Sequence, residues 1–288
     1  MKIGPISDEA FDLPEEIIEK YKIGVARFKI DLQELKNLPG NIYQKTREAE
    51  RRGIESVVKT SQPSINDFLS IFKEKLNEFE EVFCVTISSK LSGTYNAAVQ
   101  AKKFLQKEFQ DKVHVIDSLN GSAGQGLVVL KIIELAKRNL NSQEINNKIE
   151  ESIEKTKLLG MYHDPKWLKA SGRFPRFVPA IMERAERMSI KPVFKMENGK
   201  LSVAGVKRNI IDLSSALFEE FDRATKKARG EGKKIIVGIT HADDISQATK
   251  LKEMILSLKN TEVAFINLTC FPIGGHIGPN SLILSWQE

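Results

Sequence analysis

Short apolar runs alternate with amphipathic helical segments along the sequence, and this alternation limits the folds that are open to the chain. Residues 82–87 and 113–117 are rich in β-branched and aromatic side chains, and a segment with helical periodicity follows each run. Strands that alternate with helices in this way usually pair in parallel, and the helices cover both faces of the sheet. We therefore expect an α/β protein whose N-terminal part is a doubly wound, mainly parallel sheet.

The second half of the sequence has a different pattern, in which some strands follow one another directly. Apolar residues predict strands near 191–196 and 201–206, and the intervening Glu197-Asn198-Gly199-Lys200 is typical of a two-residue β-turn. Another strand is predicted near 158–163. Because strands joined by a tight turn are antiparallel, we expect a C-terminal α/β domain with a largely antiparallel sheet.

The length of the chain, 288 residues, suits two compact domains. We expect an N-terminal α/β domain over residues 1–157 and a C-terminal α/β domain over residues 158–274. The segment from about 275 to 288 contains a predicted strand at 281–286, which we expect to return to the first domain. No repeat, low-complexity linker or Pro-rich spacer marks the boundary, so it rests on the change in strand pattern.

The cysteines, the charge and the N-terminal sequence argue against several classes of protein. Cys84 and Cys270 each lie in an apolar run, which indicates buried free thiols in a reducing compartment. There is no CxxC or clustered His/Cys pattern, so no metal site is predicted. Neither a signal peptide nor a membrane span is evident, and a cytoplasmic protein is expected. The net charge of +6 comes from dispersed Lys and Arg, which indicates a solvated surface and no nucleic-acid binding.

Three polar loops stand at the C-terminal ends of predicted strands, which is the edge where open parallel sheets bind ligands. They are TSQPS at 60–64, SSKLSGTY at 88–95 and GGHIGP at 274–279. In SSKLSGTY the chain turns from a strand into a helix, whose N-terminal amides favour an anionic group. Gly93 would let a ligand approach the backbone closely. Ser92 would serve equally well as a plain helix cap.

The other two loops add polar groups of different kinds. Thr60 and Ser61 supply hydroxyls, although the same residues suit an ordinary turn. His276 lies among glycines that would let an imidazole reach a ligand, although a lone histidine is more commonly structural or exposed. Together the three loops offer hydroxyls, amides and an imidazole. This set suits the binding of an anion through hydrogen bonds better than it suits hydrolysis.

One enzymatic alternative uses the same residues. Ser92 and His276 could form a nucleophile–base pair, with Asp117 or Asp8 orienting the histidine, as in a serine esterase or thioesterase. The sequence has no GxSxG elbow, no Walker motif and no GxGxxG fingerprint. No cofactor is therefore predicted, and a binding protein is favoured over an enzyme.

Seven segments carry a resemblance to a known family. They are SDEAFDLP (7–14), KTSQPS (59–64), ISSKLSGTYNAA (87–98), VIDS (115–118), SGRF (171–174), THADD (240–244) and GGHIGP (274–279). In this order they resemble the DegV family, the bacterial fatty-acid-binding proteins that include the FakB subunits of fatty acid kinase. The resemblance spans nearly the whole chain.

The resemblance implies a two-domain fold in which one long-chain fatty acid, such as palmitate, stearate or oleate, is buried in a tunnel between the parts. By similarity, Thr60 and Ser92 would hydrogen-bond the carboxylate. His276 would complete the polar end, with Ser61 and the amide of Gly93 close by. In the family a separate fatty acid kinase converts the bound acid to an acyl phosphate that enters phospholipid synthesis. The binding protein itself does no chemistry.

Residues 171–187 carry further expectations. By resemblance, Arg173 lies near the tunnel entrance or contacts the kinase. An apolar wall for the acyl chain is expected on the same stretch, although core packing of one helix would use the same side chains. The residues of this wall are Phe174, Phe177, Ile181 and Met182. The spacing of Arg176, Arg184 and Arg187 puts them near one helix face, where they would be solvated, meet an acidic partner or make transient contact with an anionic membrane surface.

Overall fold

Strands and helices alternate through most of the computed structural model. The residues that it describes are 2–31, 35–54, 59–138, 140–164, 167, 184, 188–210 and 212–288. The strands within these ranges are β1 (Ile3–Asp8), β2 (Gly24–Ala26), β3 (Lys29–Asp31), β4 (Lys59–Ser61), β5 (Glu81–Thr86), β6 (Val113–Asp117), β7 (Lys157–Met161), β8 (Ile190–Glu197), β9 (Lys200–Arg208), β10 (Ile235–His241), β11 (Thr261–Leu268) and β12 (Leu282–Gln287).

The helices connect these strands and begin in several cases at a polar cap. Those of the described residues are α1 (Glu15–Lys20), α2 (Ile42–Arg51), α3 (Ile65–Leu76), α4 (Thr94–Lys103), α5 (Lys107–Gln110), α6 (Ser122–Leu135), α7 (Ser142–Lys155), α8 (Leu213–Gly230), α9 (Ile245–Leu256) and α10 (Phe271–Ile277), with a 3-10 turn at Glu9–Phe11. Ser64 caps α3 as its position in TSQPS predicts, because its hydroxyl accepts the amide of Asp67.

The first sheet is four-stranded and parallel, in the order β2-β1-β5-β6. Almost all of β5 is buried, as its continuous apolar sequence predicts for a central strand. Helices α3 and α4 pack on this sheet, and side chains of α6 pack in a separate core cluster that also contains residues of β1 and β5. This arrangement confirms the expected mainly parallel N-terminal sheet.

The second sheet is six-stranded, in the order β11-β10-β12-β7-β8-β9. The β10–β11 pair is parallel and the other pairs are antiparallel, which confirms the largely antiparallel sheet. The tight turn between β8 and β9 is also confirmed. Asn198 and Gly199 have φ values of 51° and 79°, and two successive positive φ values are what a type I′ hairpin turn requires.

Helix α6 lies between the two sheets and is buried along almost its whole length. It contacts β1 and β5 of the first sheet, and β10 and β12 of the second. Two glycines allow close packing here. A Cβ on Gly126 would lie 2.5 Å from the carbonyl oxygen of Phe11, and a Cβ on Gly238 would lie 2.7 Å from the Phe265 ring. Because this helix is apolar around its whole circumference, its side chains can pack against both sheets at once.

The last strand differs from the sequence-based expectation. β12 pairs with β10 and β7 in the second sheet, so the prediction that this strand returns to the first domain is wrong. Its residues from Leu282 to Trp286 are all buried. A strand that is largely apolar on both faces gains most from a central position, and the place between β10 and β7 provides one. The domain boundary near residue 157 stays a prediction.

The glycine-containing segment at 274–279 is also different from the prediction. It was expected to be a loop, but α10 continues through Ile277. Pro272 lies in the first turn, where its missing N–H leaves no hydrogen bond unmade. Gly274 is required inside the helix because a Cβ there would overlap the Tyr43 side chain. The helix ends at Gly278, which has a φ of 77°.

Cys84 is buried and Cys270 is half-buried, and both are free thiols as predicted. Within the described ranges, no helix combines the length and apolarity needed to cross a membrane. The same part of the chain holds no group of three or more His, Cys, Asp or Glu side chains arranged to bind a metal ion.

Candidate functional site

A mainly apolar cavity lies between the loops of the first sheet and the face of the second. It encloses about 810 Å³ of space, including the part open to solvent. The residues that line it are Phe28, Ile87, Leu91, Ser92, Gly121, Ser122, Leu158, Gly160, Met161, Tyr162, Phe194, Met196, Leu201, Pro272, Ile273, His276, Ile277 and Ile283. The lining is dominated by side chains without polar atoms and suits a long apolar ligand.

The β8–β9 hairpin supplies a large part of the apolar wall. Met196 of β8 pairs with Leu201 of β9, and Phe194 lies two residues before Met196 on the same strand face. The ring of Tyr162 packs edge-on against Phe194, with 4.5 Å between the ring centroids. The opposite face of β8 carries Val193, which packs in the core with α8. One strand therefore serves the cavity on one face and the protein core on the other.

Ser92 and His276 both line the cavity, so the structure brings together two of the predicted site residues. Ser92 stands in the loop between β5 and α4, and His276 stands in the last turn of α10. The hydroxyl of Ser92 lies 2.8 Å from the hydroxyl of Thr94. These side chains can donate hydrogen bonds to an anionic group in a mainly apolar cavity.

Thr60, Ser61 and Gly93 do not belong to the cavity lining. Thr60 is half-buried on β4, where it pairs with Ile30, and Ser61 is exposed. The two predicted loops nevertheless meet, because a Cβ on Gly93 would overlap the side chain of Gln62. A role for Thr60, Ser61 and Gly93 in carboxylate binding stays a prediction.

Most of the predictions for residues 171–187 lie outside the described residues. These are Arg173, Phe174, Phe177, Ile181, Met182, Arg176 and Arg187. Arg184 is described and is exposed. The wall formed by Phe194, Met196 and Leu201 was missed by the sequence analysis. The apolar spacing of the two hairpin strands predicts strand structure but does not indicate which of their faces lines a cavity.

The loop that carries Ser92 is held at two points. The Ser88 hydroxyl donates to the carbonyl oxygen of Gly199 in the β8–β9 turn, at 2.7 Å, which fastens the loop to the second sheet. The carboxylate of Asp117 accepts the backbone amide of Ser89 at 3.1 Å. A loop fixed in this way loses little conformational entropy when a ligand binds.

Asp8 supports the same loop from inside the protein. Its carboxyl accepts hydrogen bonds from the amide of Ile87 at 2.7 Å, the amide of Ala10 at 3.0 Å and the side chain of Gln125 at 3.1 Å. Burial raises the pKa of Asp8 from 3.8 to about 6, although these hydrogen bonds lower it in part. Asp8 and Asp117 thus both bind backbone amides. These contacts hold the loop and do not favour the serine esterase alternative.

Asp12 is a second buried carboxyl near the cavity. Burial raises its pKa from 3.8 to about 7, although hydrogen bonds from Cys270 and Ser122 lower it in part. Ser122 is also part of the cavity lining. The sequence around Asp12 does not indicate a buried carboxyl, since an Asp before Leu-Pro is equally typical of a turn that precedes a helix.

Asp12 is expected to make the stability of the protein depend on pH. Because folding raises its pKa from 3.8 to about 7, its stabilising contribution is fully present below pH 3.8 and is lost as the pH rises to about 7. The free energy of unfolding of the ligand-free protein can be compared with that of Asp12→Asn by urea denaturation. The difference between them should shrink as the pH rises, by roughly 1.4 kcal/mol per pH unit inside this window. A difference that stays constant would contradict the assignment.

Comparison with known proteins connects the fold and cavity to one family. A family model described as "Uncharacterised protein, DegV family" matches residues 2–288. A DegV domain-containing protein of Clostridium perfringens is 30% identical over 296 residues, which cover 100% of this chain and 99% of the relative. A fatty acid-binding protein of Thermotoga maritima is 28% identical over 297 residues, which cover 98% of this chain and 96% of the relative.

A solved structure has the same overall fold. It is that of a DegV family protein from Thermus thermophilus, whose description names fatty acid binding. It superposes with a TM-score of 0.84 at 25% sequence identity, and the match covers 100% of both chains. This full-length likeness confirms the two-domain α/β fold class.

Proposed function

Because the chain belongs to the DegV family, we propose that its cavity holds one long-chain fatty acid and that the protein carries this acid without reacting with it. One observation carries the proposal. A mainly apolar cavity has in its lining both Ser92 and His276, which are residues that the resemblance assigns to the carboxylate. The relatives from Thermotoga maritima and Thermus thermophilus are themselves described by their fatty acid binding.

The energetics of such a ligand favour a tight and reversible complex. Burying a sixteen-carbon tail at about 0.8 kcal/mol per methylene gives roughly 11 kcal/mol of gross transfer free energy. The loss of translational and rotational freedom removes several kcal/mol of this. A carboxylate buried with no donor would cost more still, because a hydrogen bond to a charged group contributes about 1.5–3 kcal/mol. The Ser92 hydroxyl and the His276 imidazole are the donors that we assign to this end.

We also propose that Thr60, Ser61 and the amide of Gly93 complete the carboxylate site. The contact between Gln62 and Gly93 supports this, since it brings the loop at 60–64 against the loop that carries Ser92. The cavity would then lie between the two proposed domains, residues 1–157 and 158–274. Arg173 would stand near its entrance, as the resemblance implies.

A fatty acid kinase is the partner that the resemblance implies. We propose that the protein presents the bound carboxylate to a fatty acid kinase in the cytoplasm, which forms an acyl phosphate for phospholipid synthesis. Support comes from the sequence resemblance to the FakB subunits and from the contact between the loop at 60–64 and the loop that carries Ser92. A fatty acid kinase catalytic subunit, ATP and the loaded protein should together yield a hydroxylamine-reactive acyl phosphate. Failure with several such kinases would contradict this part and leave fatty acid binding in place.

Native mass spectrometry of the purified protein tests the main proposal. We expect one non-covalent adduct with the mass of a long-chain acid, which solvent extraction releases and identifies. The acid should be palmitate, stearate, oleate or a close relative, and delipidated protein should take up added palmitate or oleate to the same stoichiometry. A protein that is empty and also refuses both acids would contradict the proposed function.

A further inference from the structure

Asp12 stands where α6, β10, β11 and the start of α10 meet. Its carboxyl accepts the backbone amide of Cys270 at 2.8 Å and the hydroxyl of Ser122 at 2.5 Å. The Ser122 hydroxyl in turn lies 2.7 Å from the hydroxyl of Thr240 on β10. The Asp12 carbonyl oxygen accepts the side-chain amide of Asn267 on β11, at 3.0 Å. One residue therefore ties the N-terminal segment to α6, β10, β11 and the start of α10.

The contact with Cys270 matters because Cys270 is the N-cap of α10. This helix has only seven residues, and it includes Gly274 and Gly275. A helix of this length and composition has little stability of its own, so its position depends on contacts with the rest of the fold. Asp12 supplies one such contact at its start. His276 lies in the last turn of the same short helix and lines the cavity.

A second contact on the same segment comes from α2. The Tyr43 hydroxyl donates to the carbonyl oxygen of Thr269 at 2.6 Å, just before α10 begins. Tyr43 also packs so closely on Gly274 that a Cβ there would overlap it. Tyr43 of α2 packs against α10, and the carboxyl of Asp12 accepts the backbone amide of Cys270, the N-cap of that helix. The helix that carries His276 is therefore fixed by side chains from distant parts of the sequence.

Each of the two buried carboxyls near the cavity supports the segment that carries one of the two polar lining residues. Asp8 binds the amide of Ile87, just before the loop that carries Ser92. Asp12 binds the amide of Cys270, just before the helix that carries His276. Asp12 itself does not belong to the cavity lining, so it has no direct contact with a ligand held there.

We propose that Asp12 is the positioning residue for His276: through the Cys270 amide and the Ser122 hydroxyl it fixes α10 against α6 and so holds the imidazole where a fatty acid carboxylate binds. The inference rests on the proposed function. A purely structural role for Asp12 would weaken the fold without any preference for the head group of the ligand. A positioning role weakens the recognition of the carboxylate selectively.

Hydrogen exchange of the ligand-free protein tests the structural step alone. Asp12→Ala should raise the exchange rates of the α10 amides roughly tenfold relative to those of α3, which packs on the first sheet. Asp12→Asn keeps an oxygen that accepts the Cys270 amide, and its effect should be less than about threefold. Ile255→Ala is the matched control. Ile255 is fully buried in the core cluster of the second sheet, so this variant lowers the stability of the protein without removing a contact of α10. Unchanged α10 rates in Asp12→Ala would overturn the proposal.

A double-mutant cycle tests the functional step. The dissociation constants of palmitic acid and of hexadecanol are measured, since the alcohol has the same tail and no carboxylate. Asp12→Ala should weaken acid binding roughly tenfold and alcohol binding less than about twofold. In a His276→Ala background, Asp12→Ala should have no further effect on acid binding, because the residue through which it acts is gone.

Two results of this cycle would overturn the inference. One is an equal loss of acid and alcohol binding in Asp12→Ala, and the other is a fully additive loss in the double variant. A wild-type protein that binds neither compound would contradict the proposed fatty acid function instead. In that case the exchange rates of α10 in the ligand-free protein still decide whether Asp12 positions this helix.

Discussion

Gly160→Leu is expected to weaken the binding of an eighteen-carbon fatty acid roughly 50-fold while leaving the binding of a ten-carbon acid nearly unchanged. Gly160 lies in β7 and lines the cavity. A Cβ at this position would lie 3.6 Å from the Ile283 side chain, which is ordinary van der Waals contact, so a first carbon fits. The remaining three carbons of leucine have to enter the cavity. Displacing about three methylenes at about 0.8 kcal/mol each costs about 2.4 kcal/mol, or roughly 50-fold in affinity.

Titration of the delipidated variants with saturated acids of increasing length measures this effect. Gly160→Ala should behave like the wild type, because its single added carbon makes only ordinary van der Waals contacts, at 3.6 Å. Gly205→Leu in β9 is the matched control, since a Cβ on Gly205 has no heavy atom within 4 Å. An equal loss of affinity for all chain lengths in Gly160→Leu would contradict the assignment of the cavity to the acyl tail.

The parts of the fold that sequence could predict are those that local patterns determine. The apolar run of β5 predicts a buried parallel strand, and this prediction does not depend on which strands pair with it. Asn198 and Gly199 predict a hairpin turn because both tolerate positive φ. The position of β12 was not predictable in this way. Its placement between β7 and β10 follows from competition among distant strands for a central position, which no local pattern records.

The helical state of α10 shows the same limit at the site. Gly274, Gly275 and Pro272 predict a loop, because glycine is a poor helix former and proline interrupts hydrogen bonding. The helix forms nevertheless, with the packing of Tyr43 and the hydrogen bond from the Cys270 amide to Asp12 holding it in place. These contacts come from residues more than two hundred positions away. Tertiary packing here overrides local preference.

The polar and apolar parts of the site differ in how far sequence reveals them. Ser92 and His276 stand out because they lie beside glycines at the C-terminal ends of predicted strands, where open parallel sheets bind ligands. The cavity wall does not stand out, since Phe194 faces the cavity while its neighbour Val193 faces the core of the second sheet. Both residues have the same apolar signal in the sequence. Only the packing of β8 between two layers separates a ligand-binding face from a core face.

Ser92→Ala is expected to weaken the binding of a long-chain acid roughly 10- to 100-fold and to leave the binding of the corresponding alcohol within about twofold. A lost hydrogen bond to a charged group costs about 1.5–3 kcal/mol, and each 1.4 kcal/mol is a factor of ten in affinity. Ser89→Ala is the matched control. Its hydroxyl stands in the same loop and is half-buried, but Ser89 does not line the cavity.

Thr60→Ala extends the same measurement to the neighbouring loop. If Thr60 joins Ser92 at the carboxylate, its removal should weaken acid binding and spare alcohol binding in the same way, even though Thr60 does not line the cavity of the ligand-free protein. Full-strength acid binding by both Ser92→Ala and Thr60→Ala would contradict the head-group assignment.

A covalent probe for activated serines tests the serine esterase alternative, because labelling at Ser92 that depends on His276 would indicate an esterase. A carrier should not label, since its serine has to donate a hydrogen bond to the carboxylate and never has to attack it.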